Sequence, residues 1–157
     1  MTAVLTASML VACLPATTAH SCVSWVDFAD AHEMYAEAVL VVAGTASPAD
    51  GTVELFAGPG ERHRVAVDEV YKGDFDGEEL WAASPRDYCV AEPPSPADDP
   101  IPSGHRVLLF LRPASADPTT EPAPADLDEV EEWSTLTPLA GVVAFPEGAV
   151  LPFDIER

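Results

Sequence analysis

Positive charge is what this sequence has least of: seven lysines and arginines, with Lys72 the sole lysine, stand against 27 acidic residues, for a formal net charge of -20. A surface so short of cations repels phosphate backbones and anionic lipid, which excludes nucleic acid as a partner. Long apolar runs are missing too. After residue 22 the longest, Val107 to Leu111, has the length of a strand and cannot span a bilayer. Neither an H-E-x-x-H nor a G-x-S-x-G pattern occurs, so the common zinc-protease and α/β-hydrolase signatures are absent. Internal repeats are lacking as well, and one domain is expected.

The first 21 residues carry no Asp, Glu, Lys or Arg. Within them Ala3 to Leu14 has the length of a signal-peptide apolar region, too short for a transmembrane helix. Ala19 and Ser21 are the small residues a signal peptidase requires, so residues 1–21 read as an export signal and Cys22 as the first residue of the mature chain. The opening Met1-Thr2 lacks the usual basic residue, which a start codon further upstream would supply. A second signal overlaps the first. Leu10, Val11, Ala12 and Cys13 form a lipobox-like string, and lipidation at Cys13 would instead attach the protein to a membrane. Either route leads to the outside or to the cell envelope.

Export leaves two cysteines, Cys22 and Cys89, an even number in an oxidising compartment where a bridge persists; two unpaired buried thiols are the alternative. A bridge over that separation is worth about 4 kcal/mol in the chain-entropy model.

Residues 22–157 read as a single all-β domain with one short helix. Trp25, Phe28, Ala31, Met34, Tyr35 and Ala38 recur at helical spacing, and Ser24 with Asp27 resembles a capping box, predicting a helix over 27–36. The segment 38–46 predicts a strand covered on both faces, and 52–57 a second that stops at the turn Gly58-Pro59-Gly60. In 62–74, Val65 and Val67 alternate with polar residues until Asp68 and Glu69 break the period before Val70, the mark of a bulge. Strands follow at 78–84 and 105–113, the second apolar throughout 107–111, separated by a proline-rich loop over 93–104. Residues 114–132, with seven acids and no base, read as a solvated loop with a helical turn near 126–132, and two short strands close the chain. Many short strands with Gly/Pro punctuation predict a sandwich or barrel.

Chemistry-bearing residues are scattered. His20, His32, His63 and His105 lie far apart and read as surface or capped histidines. Asp74 to Glu79 lacks the remaining ligand positions of an EF-hand and reads as a solvated turn. Trp25, Trp81 and Trp133 read mainly as core. No cofactor and no metal are expected, and no catalysis.

A cysteine at the mature N-terminus, an early helix, "RVAVDEVYKGD" at 64–74, a mid-chain cysteine and "SGHRVLLFLRP" at 103–113 together resemble the netrin-like domain family, which includes the tissue inhibitors of metalloproteinases. The likeness runs over roughly Cys22 to Pro113. It implies a five-stranded OB-like Greek-key barrel, here followed by a proline- and acid-rich C-terminal extension. The family opens with C-x-C, whereas Ser24 stands at the third position here, so the resemblance implies one N-terminal bridge, Cys22 to Cys89. It also implies an exported binding module for an extracellular protein or, as the alternative, a metalloprotease inhibitor. In that case the amine and carbonyl of Cys22 would chelate the protease zinc while Val23 and Ser24 enter its cleft. If Cys22 instead aligns with the family's second cysteine, His20 replaces the first and this geometry is lost.

Overall fold

The computed structural model describes residues 24–56, 58–87, 95, 98–114, 127 and 130–154. The expected signal peptide, Cys13, Cys22, Val23, Cys89 and most of the acidic loop 114–132 lie outside the described residues. One helix, α1 (Ala31–Glu37), precedes seven strands: β1 (Leu40–Ala46), β2 (Thr52–Leu55), β3 (Gly58–Lys72), β4 (Glu79–Ala83), β5 (Arg106–Pro113), β6 (Trp133–Thr135) and β7 (Val142–Ala144). The protein is mostly β, as its sequence predicts. The strands pair in the order β1-β3-β4-β6-β5, and β5 pairs back onto β1, so the sheet closes into a ring. All pairings are antiparallel except β4 with β6. Because β6 is a member, the ring reaches past Pro113, where the family likeness ends.

Two strands are interrupted rather than ended. Ser47 and Asp50 donate their amides to the Arg64 and Arg62 carbonyls, and Thr52 then faces Glu61, so β2 continues β1 along one edge of β3. Pro48 cannot donate to that ladder, which accounts for the break. In the same way β6 faces 111–113 and β7 faces 107–109 on one edge of β5, with 136–141 looped out between them. Pro138 again sits in the gap, and Gly141, at φ 117°, returns the chain with its carbonyl accepting from Phe110 N. The expected turn Gly58-Pro59-Gly60 is corrected: these residues lie inside β3, and Leu55 pairs directly with Gly58. The expected bulge is present, since the register between β1 and β3 skips Asp68 and, a second time, Tyr71. Beside the first skip, Gly44 lets β1 approach closely, for a Cβ there would sit 2.3 Å from the Ala66 carbonyl oxygen.

Closure creates an inner and an outer apolar layer. Leu40, Val42, Val65, Leu109, Leu111, Ile101 and the fully buried Trp133 fill the inside. Val41, Ala43, Leu108 and Phe110, the alternate residues of β1 and β5, point outward and are covered by α1 and by Phe145, Leu151 and Phe153 from the C-terminal segment. Period-two alternation on a strand with both faces covered yields a continuous apolar run. Each Val, Leu, Ile or Phe among these adds about 1.5–3 kcal/mol by leaving water.

The helix begins later than predicted. Asp30 is its N-cap, its carboxylate accepting from His32 N and Glu33 N, while Glu33 reaches back to Ala29 N at 2.8 Å. Such a cap is worth about 1 kcal/mol. No base lies in its last turn; instead Lys72 of β3 donates to the carbonyls of Tyr35 at 2.6 Å and Ala36 at 2.9 Å. A cation there also complements the helix dipole. Tyr35 stacks on Phe153 and donates its hydroxyl to the Tyr71 carbonyl, so α1 is pegged to the sheet on two sides.

Candidate functional site

Of the residues singled out from sequence, Ser24 is exposed, while Cys22, Val23, Cys89 and Cys13 lie outside the described residues. Trp133 is core, and Trp81 lies half-buried beneath two guanidinium groups, Arg62 at 4.2 Å and Arg64 at 4.9 Å from its ring centre. Stacked cations of this kind leave Trp81 little open face for a partner. Asp74, Asp76, Glu78 and Glu79 are exposed, and among the described residues no three His, Cys, Asp or Glu side chains gather as a metal site would require.

His32 and His105 are on the surface, but His63 is 1% exposed. Its Nδ1 meets the Ser47 carbonyl oxygen at 2.8 Å and its Nε2 meets Asp99 Oδ2 at 2.6 Å. Both partners accept, so both ring nitrogens donate and the ring is an imidazolium paired with a carboxylate. No serine hydroxyl takes part, which leaves this histidine unsuited to act as a base for a nucleophile. Burial would drive its pKa down, yet the Asp99 and Ser47 hydrogen bonds and the charges of Asp99 and Glu61 outweigh it and raise the pKa above 6.5.

Among the described residues an open cleft of about 550 Å³ is lined by Asp68, Glu69, Tyr71, Arg106, Phe145 and the turn Glu147-Gly148-Ala149. Its position follows from the ladders. Arg106 opens β5, opposite Thr45, and its carbonyl accepts from Phe145 N just past β7. Its side chain crosses β1 to the bulge of β3, where Nε donates to Asp68 at 2.8 Å and Nη2 to Glu69 at 3.3 Å; Nη1 donates to the Phe145 carbonyl at 3.2 Å. The guanidinium also lies 5.0 Å over the Phe145 ring. The bulge matters here because, in a regular strand, residues 68 and 69 would point to opposite faces.

The Asp68 hydrogen bond, supported by the charges of Asp68 and Glu69, keeps the Arg106 pKa above its usual value, so the group is a permanent cation. Tyr71 donates to the other oxygen of Glu69, and burial followed by that carboxylate pushes its phenol pKa up. Tyr71 meets Phe145 edge-on, with ring centres 6.2 Å apart. Two carboxylates thus hold one guanidinium beside two aromatic rings, and Glu147 lines the same cleft. The sequence marks this place only through the broken alternation at Asp68-Glu69, which it offers as a matter of strand shape. That Arg106 and Phe145 join it depends on pairings across 37 to 39 residues.

The chain matches no known family model and no curated protein sequence.

Proposed function

We propose that this protein is an exported, non-catalytic binding module on an OB-type barrel, and that its cleft around Arg106 receives a basic side chain of an extracellular protein. The observation that carries the reading is the make-up of the cleft wall. Arg106 is held on Asp68 and Glu69, and Glu147 lies on the rim, so acid exceeds base where the surface is concave. Tyr71 lines the same wall, and a cation over an aromatic ring gains about 0.5–2 kcal/mol. A net charge of -20 adds long-range attraction for a basic partner and speeds encounter. Counting each interrupted pair as one strand, five strand positions close on themselves, in keeping with a five-stranded OB-type barrel and with the netrin-like resemblance. The C-terminal extension of that barrel would then be the segment beyond β7 that covers the outer layer.

Titration of the mature protein with a lysine-rich peptide and with its glutamate counterpart, followed by backbone NMR shifts, tests the assignment. Shifts centred on residues 68–71, 106 and 145–149 with the basic peptide alone, weakening as salt is added, are expected. Equal response to both peptides, or shifts elsewhere, would refute it.

An inhibitor of metalloproteases is the second reading, favoured by the exposure of Ser24, which with Val23 would enter a protease cleft while Cys22 chelates the zinc. Inhibition that requires a free amine on Cys22, and vanishes when one residue precedes it, would establish this activity. Intact mass of the exported form with and without reductant reports the cleavage after Ser21, the Cys22–Cys89 bridge and any lipid on Cys13 together.

A further inference from the structure

We propose that His63 and Asp99 form a proton-operated clasp, holding the segment 98–101 against the inner core and letting it go when the imidazole loses a proton. Asp99 uses one carboxylate oxygen on His63 and the other on the amide of Ile101, at 3.1 Å. Ile101, 2% exposed, is thereby set into the inner layer among the side chains of β1, β3, β4 and β5. Downstream, Gly104 N donates to the Ala46 carbonyl at the end of β1. The carboxylate therefore couples one side chain's charge to the seating of another.

The strand interruption explains why the ring needs two protons. Where β1 breaks at Ser47, the Ser47 carbonyl takes its hydrogen bond from His63 Nδ1. A neutral imidazole has one N–H, so on deprotonation a ring lone pair must face an oxygen at 2.6 Å or 2.8 Å. One of the two contacts then opens. Among the described residues few other charges bear on the ring. From β3 comes Glu61, itself held by Arg86 at 3.0 Å from the segment after β4; β4 sets the non-titrating Ala82 opposite His63; the β1–β2 connection carries Asp50; and Asp98 is turned onto Ser95. Arg62 and Arg64, on either side along β3, are engaged with Glu132 and Glu79.

Long-range proton–nitrogen NMR on the full-length mature protein, taken from about pH 5 to about pH 10, reads the clasp directly. Both His63 nitrogens should carry protons at neutral pH, the ring should titrate above 6.5, and the Ile101 amide should shift with the same midpoint. A His63 already neutral at pH 7, or an Ile101 amide that ignores the titration, would overturn the proposal. In Asp99→Asn the midpoint of His63 should fall and Ile101 amide exchange should quicken at least tenfold at neutral pH. Unchanged exchange in that variant would also overturn it.

Discussion

His63 and Arg106 are both cations paired with aspartate, yet the fold treats them in opposite ways. His63 is enclosed with its pair, and the Asp99 side chain is 12% exposed; Arg106 lies at the rim of a cleft, against carboxylates that are about half exposed. In the first place water cannot replace a lost partner. In the second it can. The same pairing of charges therefore fastens structure at one site and leaves a surface for recognition at the other.

The largest effect should come from separating the buried pair. Asp99→Asn leaves the imidazolium without its counter-charge and should lower unfolding stability by about 3–5 kcal/mol, read from urea denaturation. A loss below about 1 kcal/mol would put the two sites in the same class. Next is an attack on the frame of the open site that leaves its charges alone. Gly44→Ala forces a methyl group against the Ala66 carbonyl beside the bulge and should cost about 1–3 kcal/mol in the same assay. It should also displace the NMR signals of Asp68 and Glu69 more than those of Asp99.

Third, the comparison sharpens with pH. The pKa of His63 is raised in the fold, so its contribution is complete below pH 6.5 and disappears as pH rises through the folded value. Thermal midpoints should fall across that window in the wild type and stay level in Asp99→Asn. The smallest effect belongs to Arg106→Gln, within about 1 kcal/mol of wild-type stability because solvent screens its partners. This variant should nevertheless alter the response to a basic peptide, since Asp68 and Glu69 would then turn freely toward it.

How far the sequence could lead differs between these places for a physical reason. Val107 to Leu111 is legible as a strand covered on both faces because five apolar residues in succession leave no polar side. The bulge is legible because Asp68 and Glu69 interrupt an alternation. The helix start is misplaced, since Ser24-x-x-Asp27 and Asp30-x-x-Glu33 offer the same capping spacing and only the packing of Met34 and Tyr35 against the sheet decides between them. Gly58-Pro59-Gly60 has the composition of a turn, yet the ladder of β3 with β4 begins only at Arg62, and Pro59, near the start of β3, can occupy the ladder opposite Glu54. The pairings at the two charged sites escape the sequence. His63 meets an aspartate 36 residues away and Arg106 meets carboxylates 37 and 38 residues away, distances over which no local period carries information.

The chain's single lysine has a practical bearing on anyone who handles the protein. An amine-directed dye or resin finds one side-chain target in the whole sequence, and that target is the peg fastening α1 to β3 through the Tyr35 and Ala36 carbonyls. Coupling there would loosen the helix it was meant merely to mark. Tethering through the plentiful exposed carboxylates, away from the Arg106 cleft, would leave that peg in its hole.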